Sequence, residues 1–106
     1  DFAPVTTQYM PADGNYRNSN DGEYSTIRIT GINDYSFYFS IYRYTEGEGD
    51  RQIFMDNIAV FEDADSTTAV FRGQQYTLTF DCSQNGLIVL SGFDDATALG
   101  DTFWAF

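Results

Sequence analysis

The chain has no histidine and no lysine, and it has a single cysteine. Without histidine, neither a Ser-His-Asp triad nor a Cys-His pair can form, so the common nucleophilic hydrolases are excluded. Zinc sites of the usual kinds need histidine or several cysteines. The missing lysine also excludes Schiff-base catalysis. These absences predict that the protein requires no metal and no cofactor and that it is not an enzyme.

The lone Cys82 cannot form a disulfide within the chain, so cysteine usage leaves the cellular compartment open. It continues an alternating row of apolar residues, which predicts a buried and unreactive thiol. Long apolar runs are also missing, and no segment could cross a bilayer as a helix. There is no glycine-rich phosphate loop, because Gly47 and Gly49 lie among acidic residues that would repel phosphate.

Positive charge is scarce. Sixteen acidic residues face five basic ones, which are all arginine, and the net charge is −11. Such a surface repels phosphate backbones and anionic membranes, so we expect no nucleic-acid partner. A basic protein or another basic macromolecule would be attracted instead. The alternative explanation is that the charge only keeps the protein soluble.

What the chain does contain is alternation of apolar and polar residues, in short segments separated by turns. Strands recurring about every eight to twelve residues are typical of a barrel or a sandwich. The length of 106 residues fits one domain. We therefore predict an all-β fold, a small antiparallel meander barrel of lipocalin or calycin type with about 7–9 strands, with a β-sandwich as the alternative. Residues 1–13 are expected to form an extended lead-in and residues 14–106 the barrel domain, as a monomer.

Acidic clusters are the remaining candidates for catalysis or metal binding. Asp94 and Asp95 are adjacent, and Glu62, Asp63 and Asp65 lie close together. Two carboxylates can hydrolyse a glycoside, and several can bind calcium. A small barrel has little room for the deep cleft that a glycosidase needs, and sixteen acids form such clusters by chance. Solvated turns are therefore the preferred interpretation.

The segment 35–44 reads YSFYFSIYRY. Successive side chains of a strand point to opposite faces, so Phe37, Phe39 and Ile41 share one side and tyrosines the other. We predict that the apolar side is core, and that it is buried with the following residues: Ala69, Phe71, Leu78 and Phe80. The tyrosine side is a candidate binding face, since tyrosine and arginine are enriched at recognition hot spots. Its predicted members are the following: Tyr38, Tyr42, Tyr44, Tyr24 and Arg28. Ordinary cross-strand packing is the alternative.

The order of these signals resembles small calycin-like barrels of extracytoplasmic bacterial proteins, over residues 14–106. Gly14-x-Tyr16 is similar to their opening motif, and the segment 103–106, FWAF, is similar to their closing strand. Some of these proteins are lipoproteins and others are related to bacterial lysozyme inhibitors. The inhibitor loop Ser-Gly-x-x-Tyr has a partial counterpart in Ser91-Gly92, with Asp95 in place of the tyrosine. The resemblance implies an exported location and a non-enzymatic role.

These observations predict an exported, non-enzymatic binding domain of a bacterial surface or secreted protein, which recognises a basic macromolecule. Because the chain opens with Asp1 rather than methionine, we expect a mature or trimmed fragment, with a lipid anchor upstream as one option. The first alternative is a small-molecule carrier of lipocalin type with an internal cavity, and the second is a carboxylate-dependent glycosidase. Large inward-facing phenylalanines argue against a cavity.

Overall fold

The computed structural model describes residues 13–20, 22–33, 35–62, 68–84, 86–93 and 100–105. Within these ranges the regular structure is entirely β-strand, in eight strands. They are β1 (Gly14–Asn20), β2 (Glu23–Thr30), β3 (Ser36–Thr45), β4 (Gly49–Phe61), β5 (Thr68–Arg72), β6 (Thr77–Gln84), β7 (Leu87–Ser91) and β8 (Thr102–Ala105). The predicted lead-in over residues 1–13 lies outside the described residues apart from Asp13.

Each strand pairs antiparallel with the next, and β1 pairs with β8, which closes the sheet into a barrel. Closure matters because it pairs the terminal strands and removes the open edges that would otherwise template aggregation. The predicted all-β antiparallel meander barrel is confirmed, and the β-sandwich alternative is wrong. No helix among the described residues is long and apolar enough to cross a membrane.

Aromatic rings fill the interior of the barrel. Phe80 lies 4.8 Å from Phe39 and 5.5 Å from Phe37 between ring centroids, and Phe37 lies 5.5 Å from Phe61. Aliphatic side chains from β2, β3, β6 and β7 complete this core, including Ile27, Ile29, Ile41, Leu78, Ile88 and Leu90. Of the residues predicted to be core, all are buried except Phe71, which is partly buried and packs against the others. Phe71 comes one residue before the end of β5, and the last residue of that strand, Arg72, is exposed.

Strand β4, with 13 residues, is the longest of the eight described strands, and it runs without a break through Asp56-Asn57. The register with β3 shifts opposite Phe39, Ile41 and Tyr42, so β4 carries extra residues relative to its partner. Asp56 lies at one of these bulges, in the left-handed region with φ of 49°.

Candidate binding face

The tyrosine side of β3 lies on the outside of the barrel, next to the polar side of β2. The register pairs Tyr24 with Tyr44, Thr26 with Tyr42, and Arg28 with Ser40. All five residues predicted for the face therefore lie on one side of two adjacent strands, as the short turn between them requires. We use the term candidate binding face for the outer side of β1 to β4 around Tyr42.

A stack of three side chains forms one wall of this face. The rings of Tyr24 and Tyr44 lie 4.7 Å apart at an interplanar angle of 11°. The guanidinium carbon of Arg17, on β1, lies 3.9 Å from the centroid of the Tyr24 ring. The Nε–H of Arg17 also donates a hydrogen bond of 3.3 Å to Oγ1 of Thr26. Ring stacking and the cation–π contact both favour this arrangement of the two tyrosines and Arg17.

Tyr42 stands between two shallow depressions of the surface. The first has a volume of about 260 Å³ and the second about 270 Å³, and Tyr42 lines both. We call them the Asp50 depression and the Asp56 depression. The Asp50 depression is also lined by Asn15, Arg17, Tyr24 and Thr26. The Asp56 depression is also lined by Arg28, Thr30, Ser40 and Met55.

The bulge in β4 determines where Asp56 points. The backbone N–H of Asp56 donates a 3.0 Å hydrogen bond to Oγ of Ser40, and that hydroxyl lies 3.5 Å from Oδ1 of Asp56. Ser40 is buried, although it alternates with Tyr38 and Tyr42 on the outer side of β3. The row of phenols is therefore interrupted in the middle, and this interruption is the floor of the Asp56 depression.

The charged groups of the face are only partly engaged. Among the residues that the structure describes, neither Arg28 nor Asp50 makes an ion pair or a side-chain hydrogen bond. The hydroxyl oxygen of Tyr42 accepts a 3.4 Å hydrogen bond from Nε2 of Gln52. Within the described part of the chain, a charged donor without a partner, Arg28, thus lines one depression, and a charged acceptor without a partner, Asp50, lines the other.

The residues predicted for the face do share one side of β2 and β3, but three further residues that line the depressions were not predicted. Arg17 belongs to β1, and no sequence motif predicted that β1 pairs with β2. Asp50 and Asp56 lie on the face because of the register between β3 and β4, which is shifted by the bulge. Tyr38 lies on the same outer side and is exposed, but it pairs with Ile58 beyond the depressions. The alternation of residues 14–17 was the one available signal for Arg17.

The acidic clusters considered as catalytic or calcium sites lie mostly outside the described residues. Glu62 is the one residue of the two predicted acidic clusters that the structure describes, and it forms a 2.7 Å ion pair with Arg72. The other members lie outside the described residues: Asp63, Asp65, Asp94 and Asp95. No group of three or more potential metal ligands occurs within the described ranges. The glycosidase and calcium hypotheses therefore stay untested predictions.

The thiol of Cys82 lies in the barrel core. Burial, with a smaller contribution from the nearby charge of Asp81, raises its pKa to about 12. A thiol with so high a pKa is protonated at neutral pH and is a poor nucleophile and metal ligand. This agrees with the predicted buried and unreactive cysteine.

The Ser91-Gly92 motif has a packing explanation of its own. Gly92 has φ of 107°, and a Cβ atom at this position would overlap the backbone carbonyl of Thr77. Glycine is thus needed where the chain leaves β7 and passes close to the start of β6. Residue 95, where the resemblance asks for tyrosine, lies outside the described residues.

Comparisons of the chain with protein-family models, with curated proteins and with solved structures give no match. The function is therefore inferred from the chain's own residues and geometry.

Proposed function

We propose that the protein is an exported, non-enzymatic binding domain that contacts its ligand through the candidate binding face. The observation that carries this proposal is the position of Tyr42, a half-buried ring with a polar depression on each side. Aromatic rings that are only partly covered gain free energy when a ligand covers them, and the polar groups around them set the orientation of that ligand. The exported location is supported by the resemblance to extracytoplasmic bacterial barrels.

The contents of the barrel favour the outer face over an internal site. A carrier of lipocalin type needs a central cavity, and small barrels have one only where the inward side chains are small. Here Phe37, Phe39 and Phe80 meet in the interior at van der Waals distances. A ligand inside would have to displace at least one of these rings, and that would cost as much as a large core rearrangement.

The acidic β3–β4 turn is the feature that best supports the basic partner expected from the net charge. Glu46 and Glu48 are exposed in this turn, and Asp50 follows at the start of β4. A basic macromolecule that reached this turn would also touch the edge of the Asp50 depression. We keep it as the second candidate ligand, since it uses different residues from those around Arg28.

Backbone amide shifts of the labelled protein, measured by NMR, test where ligands bind. The probes are neutral oligosaccharides, an oligo-arginine peptide and an apolar fluorescent dye of the kind that lipocalins bind. Shifts concentrated at residues 15–17, 24–28, 40–44 and 50–56 are expected. Shifts concentrated at core positions such as Phe39 and Leu90, with the dye as the only binder, would overturn the outer-face proposal in favour of a carrier.

A further inference from the structure

The charge of the candidate binding face differs from that of the whole chain. The two depressions hold two arginines, Arg17 and Arg28, and two aspartates, Asp50 and Asp56. These four charges cancel, whereas the chain carries a net charge of −11. A cationic ligand at this place would meet both arginines, and an anionic one would meet both aspartates. Like charges in contact disfavour binding, so the local electrostatics favour a ligand without net charge.

The same groups favour a ligand that is rich in hydroxyls. A hydroxyl both donates and accepts hydrogen bonds, so it can accept from the guanidinium of Arg28 and donate to the carboxylate of Asp50. Hydrogen bonds to charged groups are among the stronger ones that a neutral ligand can make. The side-chain amide of Asn15 offers a donor and an acceptor in the Asp50 depression, and the hydroxyl of Thr30 does so in the Asp56 depression.

The shape of the face fits a ligand with repeating units. The depressions are similar in volume, about 260 Å³ and about 270 Å³, and they share the Tyr42 ring as their divider. Each is smaller than the roughly 300–1,000 Å³ of typical small-molecule sites, whereas the two together fall in that range. An aromatic ring between two polar recesses suits a molecule whose C–H surfaces contact the ring while its hydroxyls reach the recesses on both sides.

We propose that the Asp50 and Asp56 depressions are adjacent subsites for a neutral saccharide chain, with Tyr42 as the contact between two sugar units. This inference rests on the proposed function and adds the class of its ligand. The Arg17–Tyr24–Tyr44 stack supports the Asp50 subsite as a preformed wall, which lowers the entropy lost on binding.

Three variants test the site against a panel of neutral tetrasaccharides, titrated into the millimolar range with NMR or calorimetry as the readout. Tyr42→Ala removes the divider, Asp50→Asn removes an acceptor charge at nearly constant shape, and Arg28→Gln removes a donor charge. We expect Tyr42→Ala to weaken binding about tenfold or more and each charge variant to weaken it about threefold to tenfold. The matched control is Tyr35→Ala, which removes an exposed tyrosine from the β2–β3 turn, away from both depressions, and should leave the affinity unchanged.

Salt dependence separates the ligand classes. Affinity for a neutral saccharide should change by less than about twofold between low and high sodium chloride, whereas affinity for oligo-arginine should fall by about tenfold or more. If no tetrasaccharide shifts the face and oligo-arginine does, the saccharide proposal is overturned and the outer-face binding function stands. If only the apolar dye binds, and it shifts the core, both proposals fall. Absence of any saccharide binding at millimolar concentration also overturns the saccharide proposal.

Discussion

Replacing Phe39 with alanine tests the assignment of the two faces of β3. The Phe39 ring is fully buried and lies 4.8 Å from Phe80, 5.4 Å from Phe71 and 6.1 Å from Phe54 between centroids. Buried Phe→Ala substitutions cost about 3–5 kcal/mol, and each lost aromatic pair contributes about 0.5–1.5 kcal/mol to such a loss. With three ring neighbours, we expect a decrease in the free energy of unfolding near 4–5 kcal/mol, a large part of the about 5–15 kcal/mol typical of a domain.

The matched control is Tyr38→Ala, one residue away on the other side of the same strand. Tyr38 is 47% exposed and faces Ile58 across the strand pair, so its loss should cost only about 1 kcal/mol. Urea unfolding followed by fluorescence gives both free energies, with similar slopes expected for the two variants. A Tyr38→Ala variant that loses more stability than Phe39→Ala would refute the register, since a shift of one residue exchanges the two faces.

Three further predictions concern single features of the chain. Burial raises the pKa of Cys82 to about 12 from its ordinary 9.0. Between pH 9 and pH 12 the unfolded chain therefore loses the thiol proton while the folded chain keeps it. The stability of the wild type relative to Cys82→Ala should therefore fall with rising pH, by at most about 1.4 kcal/mol per unit, and equal pH slopes in alkaline urea titrations would contradict this. Gly92→Ala should lower the free energy of unfolding by at least about 1 kcal/mol more than Gly47→Ala. Both glycines have positive φ, but a Cβ atom at Gly92 would overlap a backbone carbonyl, whereas a Cβ atom at Gly47 would meet open space. Equal melting temperatures for the two variants would contradict the packing explanation of Gly92. Adding a chelator should leave the melting temperature unchanged, and a fall of many degrees would reveal a structural metal.

The fold was predictable because its pattern is periodic. Alternation in the segment 35–44 placed Phe37, Phe39 and Ile41 inside, and the closed barrel buries all three. The turn between β2 and β3 was short enough to require their pairing, so Tyr24 and Arg28 could be assigned to the same face as Tyr42. These steps need only the two-residue period of a strand and the length of a turn.

The lining of the face was less predictable, because it depends on non-local register. A bulge changes which residues of β4 lie opposite β3, and no residue type marks its position uniquely. Arg17 joins the face through the pairing of β1 with β2, and its contact with Tyr24 is diagonal across that pair. The alternation of residues 35–44 also gave no sign that Ser40, which lies between Tyr38 and Tyr42, would be covered by the bulge.

The bulge links the fold to the proposed site. In a regular strand, each residue of β4 would have one partner on β3 and the outer surface at Ser40 would be flat. The extra residue lets Asp56 adopt a left-handed backbone conformation, which aspartate tolerates better than most residues, and turns its backbone N–H toward Oγ of Ser40. A serine at that point leaves space above it, whereas Tyr42 and Arg28 rise beside it, and the recess between them is the Asp56 depression. The bulge that interrupts the regular pairing of β4 with β3 thus also forms the second polar depression next to Tyr42, the Asp56 depression.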